Sequence, residues 1–273
     1  MSMSWRSDGP VLVAGPCALE GNDVDVRVAA RIAALAHRFG MLAIFKGSFD
    51  KANRAAGNAP RGIGLEEGLR ALERVRAESG LRISTDVHET HQVSAVAQVV
   101  DVLQIPAFLC RQTDLLVAAG ASGRAVNVKK GQWMTPEAMA GAADKVRNAG
   151  CAEMAVTERG TFFGYGDLIV DMRAFQRVRA AAGVPVLFDA THSVQRSGAG
   201  SLGQSGGDRE CIPALLSAAA GAGADGFFLE THPEPERSVS DAASMWPLDR
   251  LDALIERAVG VWEVVHGAAT AHA

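Results

Sequence analysis

The sequence predicts an α/β protein of the closed (β/α)8 TIM-barrel class, a single domain over residues 1–273 with its active site at the C-terminal ends of the strands. Three observations predict it. Short apolar, β-rich runs alternate with helical periodicity eight times along the chain. The runs are continuously apolar, which implies a parallel sheet covered by helices. Eight such units in 273 residues match the size of a closed barrel. A doubly wound open sheet would want a G-x-G-x-x-G turn after the first strand, and Gly15-Pro16-Cys17 does not supply one.

The elements follow in order. Val11-Leu12-Val13-Ala14 is the first strand, stopped by Gly15-Pro16. Val24, Val28, Ile32 and Leu35 then recur at helical spacing, and Gly40 closes that helix as a C-terminal cap. The second strand covers 41–46, and a long loop leads to a helical face of Leu65, Leu69, Leu72 and Val75, closed by Gly80. Residues 81–85 form the third strand, before a short helix carrying Val93 and Val96. The fourth strand is 102–105, ended by Pro106, and the fifth is 125–129. Thr135-Pro136-Glu137 predicts a helix start: a capping hydroxyl, Pro at the first helical position and an acid in the first turn. Strands six to eight are expected at 153–157, 185–188 and 226–229, and a closing helix from about Leu248 to Val265.

Bulk composition narrows the function. The formal net charge is −4, whereas a nucleic-acid binder normally shows its basic patch in the total. One Tyr and four Trp leave few platforms for stacking bases. No apolar run approaches the ~18 residues that span a bilayer, and the N-terminus has no apolar signal core. The expectation is a cytoplasmic enzyme without nucleic-acid or membrane partners. Cys17, Cys110, Cys151 and Cys211 lie far apart and read as thiols or a ligand, not a disulfide framework.

Polar residues mark the end of every strand: Cys17, Lys46, Asp86 with His88, Gln104, Lys129, Glu158 with Arg159, Asp189 with His192, and Glu230. One such residue could be a helix cap; eight out of eight are not explained by capping. In a barrel these ends converge on one face. The densest stretch is Phe45-Lys46-Gly47-Ser48-Phe49-Asp50-Lys51-Ala52-Asn53-Arg54. Lysines offer point charges and arginine a planar fork, which suits a small, highly anionic substrate. The basic set is Lys46, Lys51, Arg54, Arg111, Lys129 and Arg159. Cys17, His192, Glu230 and Asp241 fall at or beyond strands one, seven and eight, neighbours in a barrel, and their N, O and S donors make a plausible divalent-metal set. Residues 193–210 are glycine-rich and read as a mobile lid or phosphate loop.

Several motifs together carry a family resemblance: Gly15-Pro16-Cys17-Ala18-Leu19-Glu20, the 45–54 stretch, Thr85-Asp86-Val87-His88-Glu89, and Leu103 to Asp114. To these are added Asn127-Val128-Lys129-Lys130-Gly131-Gln132, Arg159-Gly160-Thr161 and Phe188-Asp189-Ala190-Thr191-His192-Ser193-Val194-Gln195. In order and over nearly the whole chain, they resemble the 3-deoxy-D-manno-octulosonate 8-phosphate synthases. The resemblance implies condensation of phosphoenolpyruvate with D-arabinose 5-phosphate and water, with release of phosphate, for lipopolysaccharide assembly. C3 of the enol phosphate would attack the sugar aldehyde, water would add at C2, and the hemiketal phosphate would collapse.

The resemblance also implies roles. Lys51, Gln104, Lys129 and Arg159 would hold phosphoenolpyruvate, with Lys46 close by, and Asn53 and Arg54 would receive arabinose 5-phosphate. Ser48, Asp86, Phe108 and Arg111 complete the expected substrate-binding set. His192, Asp241, Lys51 and Lys129 are the expected catalytic residues. Cys17, His192, Glu230 and Asp241 would hold a divalent ion such as Zn, Fe or Mn, with no organic cofactor, because the metal-requiring branch carries Cys where the other branch carries Asn. A homotetramer is implied as well. One departure is Ala55, where the motif usually places Ser or Thr after Arg54; a lost neutral hydrogen bond is worth about 0.5–1.5 kcal/mol, so weaker sugar-phosphate binding is expected. The alternative, a heptulosonate 7-phosphate synthase using erythrose 4-phosphate, has Lys-Pro-Arg-Thr-Ser in place of Lys51-Ala52-Asn53-Arg54.

Overall fold

The structure, a computed structural model, describes residues 3–53, 59–196 and 206–270. Arg54, Ala55 and residues 197–205 of the glycine-rich segment lie outside the described residues. Eight parallel strands close on themselves: β1 (Val11–Gly15), β2 (Leu42–Lys46), β3 (Arg82–Asp86), β4 (Val102–Ile105), β5 (Ala125–Lys129), β6 (Met154–Glu158), β7 (Val186–Asp189) and β8 (Gly226–His232). Closure is the parallel pairing of β8 with β1, from Val11 opposite Gly226 to Gly15 opposite Glu230. The helices are α1 (Asp23–Phe39), α2 (Leu65–Ser79), α3 (Thr90–Val99), α4 (Thr113–Gly120), α5 (Met139–Asn148), α6 (Ala174–Ala182), α7 (Ile212–Gly221) and α8 (Leu251–Thr270). The (β/α)8 barrel expected from the sequence is therefore the fold.

Strand parity divides the core. Successive side chains point to opposite faces of a strand. Leu12, Ala14 and Phe45 face outward and join the α1 and α2 residues Val28, Ile32, Leu35, Leu72 and Val75 in the layer between barrel and helices. Val11, Val13, Ile44, Val102, Ala125, Ala155, Leu187 and Phe228 face inward, with Met3 and Trp5 packed against them. The barrel is thus filled with apolar side chains below, and the same inward parity two residues later delivers polar ones: Lys46 after Ile44, and Asn127 then Lys129 after Ala125.

Most local signals correspond to the observed element ends, with the exceptions that follow. Gly40 and Gly80 cap α1 and α2 in the left-handed region, at φ 59 and 69. The helix expected at Thr135 begins instead at Met139. Ala138, Met139 and Ala140 donate to carbonyls three residues back, so Thr135-Pro136-Glu137 makes a tighter turn before the regular helix. The last strand is longer than its apolar run, because Thr231 and His232 pair in parallel with Trp246 and Pro247. The closing helix starts at Leu251, after a short 3-10 turn over Leu248–Arg250.

Candidate active site

The inward polar residues form a continuous network around the barrel mouth. On β2, Lys46 Nζ lies 2.8 Å from Asp86 Oδ2 and 2.7 Å from Ser48 Oγ. Ser48 also donates to Asp86. Asp86 Oδ1 accepts from Gln104 Nε2 at 2.7 Å, Gln104 Oε1 from Asn127 Nδ2 at 3.0 Å, and Asn127 Oδ1 from Thr157 Oγ1 at 2.8 Å. One chain of hydrogen bonds therefore crosses β3, β4, β5 and β6, with every polar end matched. The Lys46 and Lys51 charges hold the Asp86 carboxyl far below the usual carboxylate range despite its burial.

The opposite wall is built on Asp189. Its carboxylate, fully buried, accepts from Lys129 Nζ, from the His192 backbone N–H at 2.9 Å and from His192 Nδ1 at 2.7 Å. An ionised carboxylate can only accept, so Nδ1 carries the proton and Nε2 is left as the free donor atom, 3.5 Å from Glu230 Oε1. Burial raises the Asp189 carboxyl, but the Lys129 ammonium and the hydrogen bond from His192 outweigh it: its carboxyl is held far below the usual range. Burial lowers the Lys129 ammonium to about 8, against the pull of Asp189. Lys129 Nζ also sits 3.0 Å from the centroid of the Phe228 ring, which floors the mouth. Arg159 is buried and donates through Nη2 to the His192 carbonyl at 3.1 Å and to Gln195 Oε1 at 2.6 Å, while its Nη1 has no hydrogen-bond partner among the described residues.

The candidate metal donors meet at the seam between the first and last strands. Donor atoms of Cys17, Glu230 and Asp241 all lie within 4.8 Å of one another. Gly15 makes this possible: a Cβ there would stand 2.0 Å from the Lys46 carbonyl, so only glycine lets β1 press against β2 as it delivers Cys17. Cys17 Sγ donates to Asp241 Oδ2 at 3.0 Å. Burial, with Asp241 and Glu230 adding to it, pushes the Cys17 thiol well above its ordinary value. Glu230 is 1% exposed, and neither carboxylate oxygen has a hydrogen-bond partner among the described residues; Lys46 and Lys51 Nζ stand 3.9 Å from its Oε1. A buried carboxylate with both oxygens unsatisfied is costly and calls for a cation. The S and O donors of this trio, with His192 Nε2 beside Glu230, fit a borderline-soft divalent ion. His192 stands outside the three-residue cluster, adjoining it through Glu230.

The remaining expected residues divide. Lys46, Ser48, Lys51, Asp86, Gln104, Lys129 and Arg159 line the mouth. Asn53 and Arg111 are exposed, and Phe108, 53% exposed, stacks on Trp133 at 5.9 Å on the rim beyond β4 and β5. Asp189 and Glu158 are among the strand ends that the sequence marks as polar, whereas Asn127, Thr157, Lys130 and Gln195 are residues for which it predicts no role. Asn127 was detectable, as a polar residue inside an apolar strand in register with Lys129. Gln195 was not, because its partners are distant in sequence.

A family model described as the DAHP synthetase I family matches residues 5–265. The chain is 51% identical over 255 residues to a 2-dehydro-3-deoxyphosphooctonate aldolase of Nitratidesulfovibrio vulgaris, covering 93% of each chain. It is 48% identical over 266 residues to the protein of that name from Syntrophotalea carbinolica, covering 97% of this chain and 95% of the relative. The protein of that name from a Synechococcus species is 50% identical over 254 residues, covering 93% of this chain and 89% of the relative.

Proposed function

The chain belongs to the DAHP synthetase I family, within it beside the 2-dehydro-3-deoxyphosphooctonate aldolases, and from that premise we propose how it works. It is a transferase that condenses phosphoenolpyruvate with D-arabinose 5-phosphate and water, giving 3-deoxy-D-manno-octulosonate 8-phosphate and phosphate for lipopolysaccharide assembly. The heptulosonate alternative is not favoured: the relatives are named for the octulosonate product, and Ala52-Asn53-Arg54 stands where its motif would be. The observation that carries the mechanism is the pairing, on one barrel mouth, of buried cations with an unsatisfied buried carboxylate.

In this reading Lys46, Lys51, Lys129 and Arg159 bind the phosphate and carboxylate of phosphoenolpyruvate. Each is already fixed by a carboxylate or amide neighbour, so little reorganisation is needed when substrate arrives. Asp86 and Asp189 orient Lys46 and Lys129. The floor of Phe228 keeps water from beneath the reacting carbons. Cys17, His192, Glu230 and Asp241 hold the proposed divalent ion, which when bound polarises an oxygen or lowers the pKa of water. Asp241 and His192 are the groups placed to hold or move a proton during condensation, His192 with its Nδ1 proton committed to Asp189. We assign the sugar phosphate to the side of Asn53 and Arg54, on the sequence motif alone. A homotetramer in the cytoplasm completes the proposal; four free thiols are consistent with a reducing compartment, and no helix among the described residues is long and apolar enough to cross a membrane.

Phosphate release should be measured with phosphoenolpyruvate and either arabinose 5-phosphate or erythrose 4-phosphate. Turnover with arabinose 5-phosphate should exceed that with erythrose 4-phosphate by orders of magnitude. The reverse preference would overturn the assignment.

A further inference from the structure

Gln195 stands between the cationic wall and the candidate metal ligands, and its amide is committed at both ends. Oε1 accepts from Arg159 Nη2 at 2.6 Å, and Nε2 donates to Asp241 Oδ1 at 2.5 Å. The amide cannot be turned over: a guanidinium only donates and an ionised carboxylate only accepts. Asp241 has φ 56, a left-handed conformation that is uncommon for a residue with a side chain. It is held there by Gln195, by Ser240 Oγ at 2.7 Å, and by the Ser244 and Met245 N–H groups, both donating to its carbonyl at 3.0 Å.

Further ties join the same two segments. Gln195 pairs antiparallel with Gly207, closing the foot of the connection after β7. Gly207 presses on the Asp241 turn so closely that a Cβ would lie 2.9 Å from Ser244 Cβ and 3.0 Å from Ser244 N. Arg209 Nη2 donates to the Ala242 carbonyl. The foot of this connection and the Asp241 turn are therefore one packed unit, and Arg159 is attached to it through the Gln195 side chain and the His192 carbonyl.

We propose that Gln195 is a positioning residue that couples anion binding at Arg159 to divalent-metal retention at Asp241. The proposal rests on the functional reading above, in which Arg159 binds phosphoenolpyruvate and Asp241 binds metal. An anion on Arg159 fixes the guanidinium. The guanidinium fixes Oε1, and the rigid amide plane then keeps Nε2 on Asp241 Oδ1, with Oδ2 turned toward Cys17. Each ligand orders what the other needs ordered, so each tightens the other by the same factor.

The test is a Mn²⁺ titration of metal-stripped full-length protein, read as free Mn²⁺, with and without phosphoenolpyruvate. Wild-type protein should bind Mn²⁺ at least about 5-fold more tightly when phosphoenolpyruvate is present. Gln195→Met keeps the side chain's length and loses both polar ends; its gain should shrink below about 2-fold. Gln195→Ala serves the same purpose if the Met variant does not fold. Ser240→Ala removes an Asp241 hydrogen bond that does not lead to Arg159, and should weaken Mn²⁺ binding with the gain intact. If Gln195→Met binds Mn²⁺ more weakly but keeps the wild-type gain, the role is packing alone and the coupling is wrong. Wild-type protein that binds both ligands without any gain also refutes the coupling while leaving the functional reading standing. Wild-type protein that binds neither ligand refutes the functional reading itself.

Discussion

Asp189 shows how much one side chain can organise. It holds Lys129 and fixes the His192 tautomer, so that Nε2 faces Glu230 of the candidate metal donors. Asp189→Asn should reduce divalent-metal affinity by about 10–100-fold, measured by competition with a chromophoric chelator, and an unchanged affinity would remove His192 from the ligand set. Lys129 gives a pH prediction. Its folded value of about 8 lies below the ordinary 10.5. Between these values the folded protein binds fewer protons than the unfolded chain, so this group makes stability rise with pH there. The ammonium proposed to bind phosphoenolpyruvate is lost around the lower of these two values. Calorimetric titration should therefore show binding weaken severalfold between about pH 7 and pH 9, with the limb missing in Lys129→Met. A flat profile would mean that Lys129 stays charged throughout.

The elements that deliver these residues also need fixing. Lys130 and Glu158, both fully buried, face each other at 3.4 Å behind the mouth. Lys130 Nζ donates to the carbonyls of Gly131 and Met134 and to Thr161 Oγ1, and Glu158 Oε1 accepts from Gly160 N–H at 2.6 Å. The pair thus ties the loops after β5 and β6 together, one residue beyond Lys129 and one before Arg159. Glu158→Gln or Lys130→Met leaves one buried charge alone and should cost about 3–5 kcal/mol. That is a fall in melting temperature of roughly 6–20 °C; removing both together with apolar residues should cost less. Near-neutral single variants would show that the pair holds nothing. This part of the structure was half legible in the sequence. Strand positions and the inward parity of Lys46 and Lys129 followed from the apolar period. The Lys130–Glu158 contact did not, because outward residues at strand ends ordinarily meet solvent, and here the loops fold over them. The extension of β8 was missed for a similar reason: Thr231 and His232 look like loop residues until Trp246 and Pro247 pair with them.

At the scale of the whole molecule, the rim over β4 to β6 is conspicuously aromatic. Phe163 is 95% exposed and Tyr165 fully so, and Phe163 is held at φ 76, a strained position for an aromatic residue. Phe108 and Trp133 continue the patch. Exposed apolar surface is typical of interaction sites, and the proposed tetramer would cover it with a second copy. Sedimentation should give an assembly of four chains, and Phe163→Ser with Tyr165→Ser should shift it toward smaller species. An unaltered distribution would place the interface elsewhere. Metal dependence is equally testable: a chelator should abolish turnover, Mn²⁺ should restore it, and Cys17→Ser should weaken both retention and rate. Full activity in protein shown metal-free by elemental analysis would sink the ligand assignment. The seam between β1 and β8 adds a temporal dimension. On the proposed ligand set, Cys17 leaves the ribosome 224 residues ahead of Asp241. A nascent chain can display the lysines of β2 and β5 long before it owns a place for the ion. Metal capture on that ligand set would wait for the ring to close, and a product terminated before Asp241 would carry the lysines without the proposed site.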